Sequence, residues 1–224
     1  MAGLTRETPT NASLLSKLEG EGLLRTGAVR KAILSSPREL FVWDGYRDEA
    51  YVDWPLPLGK TGQTISAPHM VVMMLEELDL RAGMKVLEIG SGSGWNAACI
   101  ASIVGARGRV VSVELVEELV EFATRNIARA GLEKTVEIHQ GDGSKGWPPL
   151  EAGETYDRVV LTAAASRLPE FPVRQLRREG VLLVPLGGSS GQILMRVVKG
   201  RAGELSSRAV CPCVFVPLVG SEGA

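Results

Sequence analysis

The run Val86-Leu87-Glu88-Ile89-Gly90-Ser91-Gly92-Ser93-Gly94-Trp95 holds the densest chemical signal in the sequence. Its apolar first half reads as a strand and the residues after it as a helix, so the glycines fall on a strand-to-helix turn. Glycines there permit a tight turn and let a ligand approach the backbone, although a sharp turn alone would also use them. The dinucleotide fingerprint G-x-G-x-x-G has its third glycine one position later, where this chain has Trp95. Glu88 stands at the strand end beside the turn. A carboxylate is unfavourable next to a pyrophosphate and suits a cofactor carrying an ammonium and a sulfonium. Both details favour S-adenosylmethionine over NAD. No G-x-x-x-x-G-K-[ST] occurs, so a P-loop is excluded.

Two more acids fall at strand ends. Glu114 closes the next strand, 20 residues after Gly94. An acid so placed can accept both ribose hydroxyls of an adenosyl group. The plainer alternative is a solvated carboxylate at a helix start, favoured by the helix dipole. Asp142, in Gly141-Asp142-Gly143, ends the third strand. It can accept from an adenine amino group while the backbone at Gly143 approaches the ring, or it can be an ordinary turn residue.

Other chemistries find little support. The three cysteines are Cys99, Cys211 and Cys213. An odd count with one in an apolar helix pattern argues for a reducing cytoplasm rather than a disulfide framework. Cys211-Pro212-Cys213, with no second pair and no His nearby, reads better as an apolar strand tail than as a metal site. His69 and His139 are the only histidines, so no metal is expected. Enzymes that methylate amines often carry an Asn-Pro-Pro-aromatic turn after the fourth strand. Here Thr162-Ala163-Ala164-Ala165-Ser166 stands there, which lowers base or amide methylation.

The elements that position these residues follow from periodicity. In 224 residues, 45 % are hydrophobic and 23 % charged, with Lys+Arg 25 against Asp+Glu 26. That is a globular composition able to bury roughly 70 % of its unfolded surface. The net charge of -1 gives no support to a general nucleic-acid binder. No apolar run nears the ~18 residues of a spanning helix, and the first residues do not read as a secretory leader. Helical patterns run through Leu14, Leu15 and Leu18 and through Val29, Ala32 and Ile33, with Pro37 ending the second. Residues 41 to 64 are irregular. Pro68 opens a helix with Ser66 or Ala67 at its cap.

Strands are expected at 85–89, 109–114, 135–139, 157–162, 181–186 and 193–198, and helices at 96–104, 115–130 and 169–177. The alternation predicts an α/β, doubly wound, mostly parallel sheet with ligands at the carboxyl ends of its strands. The expected organisation is an N-terminal helical and irregular extension over 1–80, forming one wall of the active site. A cofactor-binding core follows over 81–200, and residues 201–224 complete the sheet with a C-terminal strand.

The stretch Gly62-Gln63-Thr64-Ile65-Ser66-Ala67-Pro68-His69-Met70 resembles the signature of protein-L-isoaspartate (D-aspartate) O-methyltransferases. The resemblance continues through Val86–Gly94, Gly141–Gly143, Thr162–Ala165, Gly180–Gly187 and Phe215–Leu218, and so covers nearly everything from Arg38 onward. It implies the class I S-adenosylmethionine-dependent fold. It also implies an enzyme that esterifies the abnormal carboxylate of L-isoaspartyl, and D-aspartyl, residues in damaged proteins, leaving S-adenosyl-L-homocysteine. The ester then closes to a succinimide that hydrolyses in part to normal aspartate. The partners implied are isoaspartyl peptides or unfolded segments in the cytoplasm, with no nucleic acid or membrane. By the same resemblance Ser66 is the active-site residue and, with Thr64 and Ile65, lines the cofactor site. Glu88, Gly90, Ser91, Gly92, Glu114, Asp142 and Gly143 match cofactor-binding positions, and Gly94 of the same loop is counted with them.

The residues themselves support a role for Ser66. A carboxylate, with an ordinary pKa of ~3.9, is ionised at neutral pH and needs orientation rather than a general base. A hydroxyl at a helix start, with unpaired N–H groups beside it, can hold one oxygen while the other attacks. A simple N-cap is the alternative. His69 reads as an ordinary histidine, and Trp43, Tyr46, Tyr51 and Trp54 as packing residues. After Leu218 the chain reads Val219-Gly220-Ser221-Glu222-Gly223-Ala224, and no tail contact with cofactor or substrate is expected. Two rival functions stay open: a methyltransferase for a small molecule or RNA, and a cofactor-binding protein without chemistry.

Overall fold

The structure is a computed structural model and describes residues 9–148, 153–188 and 190–220. The opening residues read above for a leader, and Ser221–Ala224 of the tail, lie outside the described residues.

Helices α1 (Asn11–Gly20) and α2 (Gly27–Ser35) begin where threonine hydroxyls cap them. Thr10 accepts from the Ser13 N–H and Thr26 from that of Val29. Residues 41 to 64 form a 3-10 turn at Asp44–Glu49 and a small antiparallel pair, β1 (Leu56–Pro57) with β2 (Thr64–Ile65). Then comes α3 (Pro68–Glu77), capped by Ala67. The alternating core runs β3 (Lys85–Ile89), α4 (Trp95–Val104), β4 (Arg109–Glu114), α5 (Glu117–Arg129), β5 (Val136–Gln140) and β6 (Tyr156–Leu161). It ends with α6 (Glu170–Gln175), β7 (Leu176–Gly188), β8 (Gly191–Lys199) and β9 (Leu205–Cys213).

The seven-stranded sheet has the order β5-β4-β3-β6-β7-β8-β9. Strands β3 to β7 pair in parallel, and β8 and β9 close one edge antiparallel. Successive side chains of a strand point to opposite faces. Val86 and Val110 accordingly join the core shared by α3, α4, α5 and the N-terminal helices, while Leu87, Ile89, Val111 and Val113 join the core on the other face. The chain leaves β3 in one direction for β4 and β5, then returns to lay β6 on its other side. The crevice beyond β3 and β6 is the place where such sheets bind ligands.

Trp95 explains one departure from the dinucleotide pattern. It is the first residue of α4, 1 % exposed, and its indole N–H donates to the Ser36 carbonyl at 2.8 Å. The side chain in place of a third glycine docks the N-terminal extension onto the glycine turn.

The expected helix over 169–177 is shorter, and β7 starts at Leu176, well before Val181. The register shifts between Tyr156 and Arg158, and Glu179 takes a left-handed φ of 60° there. That bulge lets a charged stretch without strand periodicity continue the strand.

Candidate active site

The turn after β3 is shaped by backbone. Gly90 has φ 96°, and a Cβ on it would lie 2.2 Å from the Thr162 hydroxyl oxygen. Thr162, just after β6, donates that hydroxyl to the Gly90 carbonyl at 2.6 Å. Gly94, φ 83°, starts α4 against Ala123 and Ile127. Ser91 bonds to Ser112 at 2.6 Å, and Ser112 donates to the Glu88 carboxylate. The Asn96 amide donates to the other Glu88 oxygen at 2.7 Å.

Glu88 is therefore closed beneath the turn and fully buried. Burial pushes its carboxyl up to about 7, the nearby Glu114 charge pushes the same way, and the bonds from Ser112 and Asn96 oppose them. The sequence pattern puts Glu88 beside a cationic cofactor. The structure instead gives it to Ser112 and Asn96, and it lines none of the three clefts described below.

Glu114 ends β4 and is 8 % exposed. It accepts from the Gly92 N–H at 2.9 Å, from Leu115 at 2.8 Å and from Val116 at 3.0 Å. A carboxylate offers about four acceptor sites, so a strand-end carboxylate held by three backbone donors keeps acceptor capacity for a ligand hydroxyl. Asp142 is turned elsewhere. It accepts from the Ser144 N–H at 3.0 Å and hydroxyl at 2.6 Å, and pairs with Lys145 at 3.3 Å. Its neighbours Gly141 and Gly143 line the cleft in its place.

Three adjoining clefts meet at Thr64 and Thr162, which line all of them. The first, about 630 Å³, runs past Glu114, Leu115, Gly141 and Gly143. Another, about 350 Å³, follows Gly90–Ser93 and faces Thr64, Ile65 and Ser66. The third, about 1290 Å³ and open, is walled by Pro55, Met70 and Val214–Val216, with Ser66 and His69 on its floor.

Ser66 thus borders both the glycine-turn cleft and the open one. It does not cap α3, because Ala67 occupies that position without a side-chain cap bond. Its hydroxyl has no hydrogen-bond partner among the described residues. The expected unpaired N–H groups beside it are absent from the first turn. Pro68 has none, His69 N–H donates to Asp53 at 2.9 Å, and Met70 N–H to the Ala67 carbonyl at 3.1 Å. His69 also brings its ring Nδ1 to 2.9 Å from Asp53. Trp43 packs on Phe122 with ring centroids 4.8 Å apart, as a packing residue should.

Two contributions were not assigned from sequence. Thr162 stood in a motif without a role. The tail was expected to make no contact, yet Val219 lines the first cleft beside Val216, Pro217 and Leu218. A Cβ on Gly220 would lie 2.2 Å from an Asp142 oxygen. A bridge from Ala164 to Pro217 brings the tail there, with Leu218 N–H donating to the Ala164 carbonyl at 2.7 Å. Cys211 and Cys213 are free thiols, and Cys213 ends β9 at the open cleft. Among the described residues no group of three or more His, Cys, Asp or Glu could hold a metal. No helix there is long and apolar enough to cross a membrane.

The residues fit an adenosyl sulfonium cofactor. Ile89 and Leu115 give the first cleft apolar walls beside Glu114, and bare glycine backbone borders the smaller cleft. Asn96 lines that cleft, and its buried Oδ1 has no partner among the described residues.

The profile of the protein-L-isoaspartate(D-aspartate) O-methyltransferase family matches residues 9–223. A protein-L-isoaspartate O-methyltransferase of Hyperthermus butylicus is 48 % identical over 217 residues, covering 94 % of this chain and 88 % of its own. That of Pyrococcus horikoshii is 48 % identical over 207 residues, covering 92 % and 91 %. A Plasmodium falciparum chain described as a protein-L-isoaspartate O-methyltransferase, solved with S-adenosyl-L-homocysteine, superposes with a TM-score of 0.81. It is 26 % identical and covers 93 % of this chain and 98 % of its own. A second solved chain of that name gives 0.85 at 31 % identity, covering 96 % and 67 %. The sheet is that of the class I S-adenosylmethionine-dependent methyltransferases, and this chain belongs to the protein-L-isoaspartate (D-aspartate) O-methyltransferase family.

Proposed function

We propose that this chain transfers a methyl group from S-adenosylmethionine to the free carboxylate of L-isoaspartyl, and D-aspartyl, residues in damaged proteins, with Ser66 orienting the carboxylate. The observation that carries this is the Ser66 hydroxyl, unpartnered among the described residues on the border of two clefts. One cleft has the polar, glycine-lined character of a cofactor site. The other is open and apolar enough for an extended peptide segment.

When bound, S-adenosylmethionine supplies an electrophilic methyl group on a sulfonium. The chain's own tasks are alignment and exclusion of water. Thr64, Ile65, Ser66, Gly90, Ser91 and Gly92 border the methionine end. Glu114, with Gly143 and the turn at Asp142, takes the nucleoside. Glu88 and Gly94 hold the glycine turn in shape. The substrate carboxylate arrives ionised, so Ser66 Oγ needs only to donate to one oxygen and leave the other to attack. A weak hold serves best, because stabilising the ground state alone slows the step. The three free cysteines favour a cytoplasmic location. The near-neutral charge favours protein over nucleic acid as partner.

The test is transfer of labelled methyl to matched peptides, one with L-isoaspartate and one with aspartate at the same position. Base-labile label on the isoaspartyl peptide alone is expected. Label on neither, with cofactor binding verified by calorimetry, would return the substrate to unknown. Ser66→Ala should bind cofactor normally and keep only a small residual turnover.

A further inference from the structure

Among the described residues the Ser66 hydroxyl has no hydrogen-bond partner, so the backbone that carries it decides from where it can reach the substrate. Among the described residues one side chain hydrogen-bonds to that backbone. Arg38, 28 residues earlier, donates from Nη2 to the Ser66 carbonyl at 3.0 Å. The same nitrogen donates to the Trp54 carbonyl at 3.0 Å, and Nη1 donates to that of Ala50 at 2.8 Å. The guanidinium carbon lies 5.3 Å from the centroid of the Trp95 ring, and Trp95 begins the helix that follows the glycine turn.

Arg38 is 0 % exposed. Its hydrogen-bond partners among the described residues are carbonyls rather than a carboxylate, and Nε has none there. Burial lowers its pKa to about 10, against the pull of Asp53. A cation so buried is expensive unless its protons are well used. Apolar packing would serve a purely structural post better. What this residue adds is a rigid planar fork that holds several chain segments at once, which a lysine cannot reproduce. Those segments are the end of the 3-10 turn at Ala50, Trp54 beside the cleft-lining Pro55, the Ser66 peptide, and α4.

We propose that Arg38 is a positioning residue for the methyl transfer: through the Ser66 carbonyl it sets the place from which the Ser66 hydroxyl meets the substrate carboxylate. This rests on the role given to Ser66 above. A misplacement of about 1 Å can cost ~100-fold in rate, so loss of the fork should appear in kcat.

The test is a double-mutant cycle of Arg38→Lys and Ser66→Ala, read with an isoaspartyl peptide. Arg38→Lys is expected to lower kcat at least tenfold, with the dissociation constant for S-adenosylmethionine within twofold of the parent. In the Ser66→Ala background it should lower kcat less than twofold further. Equal costs in both backgrounds would overturn the proposal, since Arg38 would then act independently of Ser66. Wild-type turnover by Ser66→Ala would instead show that the Ser66 reading itself had failed.

A second variant covers misfolding of Arg38→Lys. Replacing Ala67 by lactic acid turns the Ser66–Ala67 amide into an ester, whose carbonyl is a weaker acceptor, and leaves every side chain in place. Its kcat should fall several-fold with cofactor affinity unchanged. An ester variant that turns over at the parent rate would refute the role of Arg38.

Discussion

The Thr162 hydroxyl sits 2.6 Å from the carbonyl oxygen of Gly90 and 3.1 Å from that of Ile89, joining the carboxyl ends of β6 and β3. It spans the crevice where strand order turns, and Thr162 and Gly90 both line the first cleft. Thr162→Val keeps the shape and removes the donor. A net hydrogen bond is worth about 1 kcal/mol, so S-adenosylmethionine should bind roughly fivefold to tenfold more weakly by calorimetry. Gly90→Ala should cost more than about 2 kcal/mol in unfolding free energy, because the new methyl meets that hydroxyl in a left-handed backbone.

Glu88 should make stability depend on pH. Its carboxyl rises from 4.5 to about 7 on folding, chiefly by burial. The folded state then binds the proton more tightly than the unfolded state. The stability this contributes is fully present below about pH 4.5 and is lost as pH rises through about 7. At ~1.4 kcal/mol per unit the swing is on the order of 3 kcal/mol. Glu88→Gln should flatten the stability curve between pH 4.5 and 7 in denaturant titrations. An unchanged slope would show that Glu88 does not titrate in that window.

Glu114 receives three backbone N–H groups and borders the first cleft. Bonds to a charged acceptor contribute about 1.5–3 kcal/mol each. Glu114→Gln should weaken cofactor binding by roughly tenfold to a hundredfold. Peptide KM at saturating cofactor should change little, and a large shift there would place Glu114 in the substrate site.

Gln192 grips the wall of the open cleft. Its amide N–H donates to the Phe215 carbonyl at 2.9 Å, and its oxygen accepts from the Phe215 N–H at 2.6 Å. Gln192→Ala should raise the KM for isoaspartyl peptides several-fold while leaving cofactor affinity alone. Equal effects on both would mean that the segment 213–216 serves the two clefts together.

Much of the fold and part of the site could be read along the chain. Glycines at Gly90, Gly92 and Gly94 and acids at the ends of β3, β4 and β5 are local facts. Backbone conformation and strand periodicity depend on near neighbours, so sequence determined the sheet, the glycine turn and the place of Glu114 at the end of β4. Tertiary structure decided where side chains face and what already holds them. Glu88 stands one residue before the end of β3 and Glu114 ends β4, yet one is closed beneath the turn by Ser112 and Asn96 while the other borders a cleft. The first turn of α3 lost an expected donor when the His69 N–H paired with Asp53, 16 residues away. Thr162 reached Gly90 across 72 residues, and the tail returned to Asp142 by pairing with Ala164. Such contacts bring together residues with no periodic relation in the chain. Burial, register and hydrogen-bond competition select them only once the whole chain has packed.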